Sequence, residues 1–136
     1  MKFISTKGRE HKIDIRPSQW PRRSEEACKS KLQWGVSSIL NELFPNDVIL
    51  EEFFIPGDSL YIDFLLPRRK LAVEVHGRQH FEYSQFFHGS KENFRKSQQR
   101  DRRKLEWCSL NKIQMVAINH DDTEDVIRLK LKSDKH

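Results

Sequence analysis

The chain has 136 residues, of which 36% are hydrophobic and 33% charged, with a formal net charge of +5. That length builds one core of ordinary size and leaves no room for a second. No apolar run reaches the roughly 18 residues of a membrane-span candidate, and the opening MKFISTKGREHKID has no apolar stretch of a signal peptide, so the sequence predicts a chain neither inserted nor exported.

Residues 1–23 show little periodicity, contain Pro17 and Pro21, and carry seven Lys/Arg against two acids. They read as a basic N-terminal arm or an irregular entry ahead of a single domain over 24–136. Ser24 followed by Glu25 and Glu26 has the form of a helix start, a capping side chain and then acids at the positive end of the dipole. Leu32, Val36, Ile39, Leu40 and Leu43 recur at helical spacing up to Pro45, which predicts a helix over 24–44. VILEEFFI (48–55) reads as a strand closed by Pro56-Gly57, and two more strands follow near 59–66 and 70–76. The loop from Gly77 to Gly89 is unusually aromatic, with Phe81, Tyr83, Phe86 and Phe87 beside His80 and His88. Ser90 is placed to cap a long helix over 91–110, KIQMVAI (112–118) is a fourth strand, and 122–132 a short last helix capped by Thr123 or Asp122. The order is α-β-β-β-α-β-α, an α/β fold with a four-stranded sheet flanked by helices.

Base is clustered a second time over residues 91–104, again seven Lys/Arg against two acids. Such clusters suit a polyanion such as DNA or RNA, the alternative being a solvated charged face. Trp20, within the basic arm, either packs the arm onto the domain or wedges into a DNA step. Cys28 and Cys108 are the only cysteines. With no CxxC and no Cys/His cluster they predict neither a disulfide framework nor a structural zinc site, but small buried groups in a reducing compartment.

The stretch LYIDFLLPRRKLAVEVHG (60–77) carries the chemistry. With Arg68-Arg69 at the centre of the turn, Pro67 faces Lys70 and Asp63 lies opposite Glu74, their Cβ atoms ~5 Å apart. Phe64 then meets Val73, and Ile62 meets Val75, on the other face. Two carboxylates so placed repel unless a cation offsets them or one holds a proton. Hard divalent ions such as Mg²⁺ favour one or two carboxylates with waters and a phosphate, the arrangement that phosphodiester hydrolysis requires. The alternative is an edge hairpin with both acids in solvent. His76 shares the face of Glu74, as a general base, a water ligand or a hydrogen-bonded strand-end histidine. On the long helix, Phe94, Gln98, Asp101, Leu105 and Cys108 form a stripe, so Asp101 faces inward while Arg95, Arg102 and Arg103 fan outward. Asp101 either pairs with Arg78 or Arg100 or orients a catalytic histidine.

An Asp, a hairpin's length, and then Glu-x-His within α-β-β-β-α-β resembles the PD-(D/E)XK nuclease superfamily, with His76 where that pattern has lysine and Ile62 where it has proline. DFLLPRRKLAVEVHG followed by QRDRRKLEWCSLNKIQMVAI is similar, more narrowly, to the very-short-patch-repair (Vsr) endonucleases and to phage and intron-encoded nucleases with an E-D-xH-D site. GRQHF and FFHGSKENF extend the likeness, which covers about residues 30–120. The resemblance implies a restriction-endonuclease-like core and a DNA endonuclease using Mg²⁺, or Mn²⁺ as substitute, encoded by a phage or mobile element and acting in the cytoplasm of a bacterial host cell. It places Asp63 and Glu74 on the metal, His76 as base or water ligand, Asp101 completing the site, and Gln79 and His80 lining it. Gln33, in SKLQWGVSSIL, stands where the pattern has a helix glutamate, with Glu26 seven residues earlier. Arg22, Arg23, Arg78, Arg95, Arg100, Arg102, Arg103 and Lys104 are the expected phosphate contacts. Two other readings stay open: a nuclease fold that only grips DNA or docks to a larger phage enzyme, and an RNase.

Overall fold

The computed structural model describes residues 1–77 and 90–132. The aromatic loop, with Arg78, Gln79 and His80, lies outside the described residues. Strands β1 (Lys2–Ile4) and β2 (Glu10–Lys12) pair antiparallel and are followed by a 3-10 turn at Pro17–Gln19. Helix α1 is Lys31–Leu43, then β3 Leu50–Ile55, β4 Leu60–Leu66 and β5 Leu71–His76. Helix α2 is Lys91–Leu110, β6 Gln114–Asn119 and α3 Glu124–Leu131. The four-stranded sheet runs β3-β4-β5-β6, antiparallel except for the parallel pair β5/β6, so the fold is α/β with a mixed sheet. Among the described residues no helix is long and apolar enough to cross a membrane.

Both faces of the sheet are covered. On one, Val36, Leu40 and Phe44 from α1 and its end, with Ile127 and Leu131 from α3, pack on Phe64, Leu66, Leu71, Val73 and Ile118. On the other, Trp107 and Cys108 of α2 and Phe3 of β1 pack on Phe53, Ile62, Leu65 and Ala72. The hairpin is therefore central rather than an edge, and its acids are not in solvent.

Three expectations need correction. The first helix does not start at Ser24: residues 25–29 are turns, and the cap is Ser30, whose hydroxyl accepts from the Gln33 N–H at 3.1 Å. The apolar stripe begins at Leu32, so a helix over 24–30 would have little to bury. Glu26 is exposed in that turn and shares no helix face with Gln33. Second, residues 1–23 are not an arm apart from the domain, although beyond β2 they hold only the 3-10 turn. Phe3 lies in the core at 5.3 Å from the Trp107 ring and 5.9 Å from Phe53, and the Asn111 side chain both accepts from Ile4 N–H and donates to its carbonyl. Trp20 packs 4.9 Å from Phe53, the packing alternative of its two readings. Third, Ile62 and Phe64 do not share a face. Leu50 and Phe53, like Ile62 and Leu65, join the same core across an odd step, so alternation slips in both strands at Glu52 and Asp63. Glu52 has φ +55°, a left-handed backbone that turns β3 there, and β4 turns with it because the register is the same on either side.

Candidate functional site

The turn Pro67–Lys70 closes the β4/β5 hairpin with Phe64 against Val73, Leu65 against Ala72 and Leu66 against Leu71, which brings Asp63 level with Glu74. At that level the carboxylates take the place of backbone partners. Glu74 Oε2 accepts from the Asp63 N–H at 2.8 Å, and Asp63 Oδ2 accepts from the Val75 N–H at 2.7 Å. Both acids are buried, at 8% and 3% exposure. Burial, and then the charge of Glu74, push the Asp63 carboxyl up to about 7, against the pull of the Val75 N–H.

Two lysines answer the two acids from different elements. Lys104 Nζ of α2 lies 2.6 Å from Glu74 Oε1. Lys29 Nζ, in the turn before α1, lies 3.0 Å from Glu52 Oε1 and 3.7 Å from Asp63 Oδ1. Burial alone would lower the Lys104 ammonium, but Glu74, Asp63 and Asp101 around it outweigh that and raise it. Burial, and then Glu74, push the Cys108 thiol behind this pair up to about 12, which leaves it an inert apolar group.

His76 shares the face of Glu74 by alternation, and α2 brings Asp101 to them. One ligand atom from each of Glu74, His76 and Asp101 lies within 4.8 Å of the others. Two carboxylates and an imidazole are a donor set that suits Mn²⁺ or Mg²⁺ with waters completing the shell. Glu74 and Asp101, with Asp63, open into a cleft of about 520 Å³ between the start of α1 and the middle of α2, beyond the carboxyl ends of the parallel strands β5 and β6. Open α/β sheets bind ligands in that position.

Gln33 lines the same cleft without being a carboxylate. Its Nε2 donates to Glu51 Oε2 at 3.0 Å and to Glu52 Oε1 at 3.1 Å, and Glu51 also accepts from the Arg23 N–H. An amide bridging two buried acids is satisfied where a third carboxylate would be repelled.

The expected phosphate contacts divide. Arg95 and Arg102 lie on the exposed face of α2. Arg100 lines the cleft and donates to Ser97 Oγ. Arg103 is tied to the β3–β4 turn through the Asp58 carbonyl at 2.9 Å. Arg22 does not project freely: its guanidinium donates to Ser37 and Ser38 and lies over the Trp34 ring, because these α1 side chains face the incoming segment. Lys104 turns into the cleft, and the inward stripe of α2 keeps Phe94, Asp101 and Cys108 but takes Ser97 and Lys104 in place of Gln98 and Leu105. Lys104 and Ser97 are half-buried, whereas Leu105 is 53% exposed.

Residues the sequence reading passed over also reach the site: Glu52, Lys29 and His120, the last directly after β6. Only His120 had a legible signal, a histidine shortly after the fourth expected strand.

No family model matches the chain, and no solved structure matches it. Part of it is similar to virus-encoded proteins. Uncharacterized protein 307L of Invertebrate iridescent virus 6 is 38% identical over 60 residues, 44% of this chain and 30% of that protein. Uncharacterized protein 033L of Invertebrate iridescent virus 3 is 36% identical over 64 residues, 47% of the chain and 33% of that protein. Uncharacterized protein 094L of Frog virus 3 is 35% identical over 63 residues, 46% of the chain and 41% of that protein. The matched segment thus spans between 30% and 41% of these relatives. Their viral origin fits a chain carried by a mobile element.

Proposed function

We propose that the cleft hydrolyses phosphodiester bonds of DNA in a reaction that depends on a divalent metal ion. The observation that carries this reading is the convergence of Glu74, His76 and Asp101 from a strand and a helix, beside the buried Asp63. When bound, Mg²⁺ or Mn²⁺ supplies a polarised phosphoryl oxygen and an activated water. Glu74 and Asp101 offer the hard oxygen ligands and His76 the imidazole. Asp63, which lines the same cleft beside Glu74, is the carboxylate we assign to take a proton from the attacking water. Arg100 at the rim and Arg95 and Arg102 on the outer face of α2 supply charge for the phosphate backbone, without base information.

Supercoiled plasmid incubated with Mg²⁺ or Mn²⁺ is the direct test. Nicking is expected, with Glu74→Ala and Asp63→Ala each lowering its rate about a hundredfold or more. Nicking that survives both substitutions places the chemistry elsewhere. Competition among duplex DNA, single strands and RNA then fixes the substrate, since RNA presents the same phosphates.

Gln33 favours a second reading, a domain that grips DNA or docks on a larger phage enzyme without cutting. Its amide, held by Glu51 and Glu52, adds no charge to a metal site. Salt-dependent DNA binding with no cleavage in either metal supports that reading over the first.

A further inference from the structure

We infer that Lys104 is a built-in counter-ion that competes with the divalent metal for Glu74 and passes to the substrate phosphate when the metal is bound. This rests on the metal reading of the cleft. Glu74 has two carboxylate oxygens, and Oε2 is committed to the Asp63 N–H that holds the hairpin together. Oε1 is the oxygen left for a cation, and Lys104 Nζ sits on it at 2.6 Å. The same carboxylate belongs to the group with His76 and Asp101, so an ion held by that group and the ammonium of Lys104 meet on one acid. A divalent ion and an ammonium a few ångströms apart in a buried site repel strongly. Each therefore weakens the other's hold on Glu74.

The geometry gives the displaced ammonium somewhere to go. Lys104 stands on α2 one turn from Arg100 and Asp101, all three lining the same cleft, and its side chain is only 17% exposed. Leaving Glu74, its flexible stem swings within the cleft, where a bound phosphodiester supplies the anion that Glu74 no longer offers. In the metal-free protein Lys104 keeps a buried carboxylate neutralised. In the loaded protein it faces substrate.

Two binding measurements on the full chain test this, neither of them activity. In the first, Mn²⁺ binding is followed by calorimetry for the wild type, Lys104→Met and Lys104→Arg, each checked for folding by its thermal transition. Lys104→Met is expected to bind Mn²⁺ about tenfold more tightly, and Lys104→Arg to stay close to wild type. In the second, affinity for a short DNA duplex is measured in Ca²⁺. Here Lys104→Met is expected to bind about tenfold more weakly than wild type, and Lys104→Arg to recover most of the loss. The opposed signs are the signature, because a purely structural role for Lys104 weakens both. Mn²⁺ affinity unchanged or reduced in Lys104→Met overturns the inference while leaving the metal site standing. Absence of Mn²⁺ binding in all three proteins overturns the metal reading, and the inference with it.

Discussion

At the scale of single residues, Asp63 is where burial and charge act against each other most directly. Its carboxyl is raised from 3.8 to about 7 by burial and by Glu74. In the unfolded chain it ionises near 3.8, so between these values the folded state holds the extra proton. Its contribution to stability is therefore complete below about 3.8 and is lost as pH rises through about 7. An asparagine mimics the protonated acid and keeps the oxygen that accepts from Val75. In EDTA, the melting temperature of Asp63→Asn minus that of wild type is expected to lie near zero at pH 4. It should grow through pH 5 to 7 and level off above, with a gain on the order of 1 kcal/mol or more at pH 8. A difference that stays flat with pH shows that Asp63 is not the group holding the proton.

At the scale of elements, what was legible is what local chemistry decides. The register of the β4/β5 hairpin follows from a turn centred on Arg68-Arg69, and the helix starts at Ser90 and Thr123 follow from hydroxyls that accept from Asn93 and Val126. The first helix, expected to start at Ser24, is the exception. Only Ser30, in extended backbone just ahead of the apolar stripe, is the cap, so Ser30→Ala is expected to cost about 1 kcal/mol in urea unfolding. Ser24→Ala, in an exposed turn, should stay within about 0.5 kcal/mol of wild type. Equal costs would mean that the turn over 25–29 contributes to stability as the helix does. The illegible parts depend on partners far away in the chain. The slip at Glu52 and Asp63 needs a glutamate in left-handed backbone, which no local signal announces and which Lys29 and Gln33 hold through its carboxylate. The end of α2 has the same character: Lys112, at φ +55°, takes the position where glycine is usual, with Ile113 N–H on the Cys108 carbonyl. The place of Lys104 in the α2 stripe is equally hidden, because periodicity prefers Leu105 to a lysine whose partner is a buried acid on another element.

At the scale of the whole molecule, the sequence pattern most at odds with the fold is the N-terminal segment. Its charge and prolines describe its surface, but Phe3, with Ile13, Ile15 and Trp20 packed on the same core, decides where it sits. Phe3 is 2% exposed among Phe53 and Trp107, and the first residues are clamped at both ends. The N-terminal amine donates to the Ile13 carbonyl, and Thr6 bonds Asp58 through its N–H and hydroxyl. Asp58 in turn is held by Arg103 through its carbonyl, so the hairpin, the β3–β4 turn and α2 form one connected support behind the cleft. Phe3→Ala is then a core truncation, expected to destabilise by about 3–5 kcal/mol. For a chain this small, that is a large share of the total. It should also loosen the C-terminal half of α2, where Trp107 loses a ring partner, and lower Mn²⁺ affinity through the ligand Asp101 without touching it. An appendage used only to grip DNA behaves differently: Phe3→Ala would leave the urea midpoint unchanged and lower DNA affinity alone. Urea unfolding separates the two outcomes, because a lost core ring moves the midpoint whether or not nucleic acid is present.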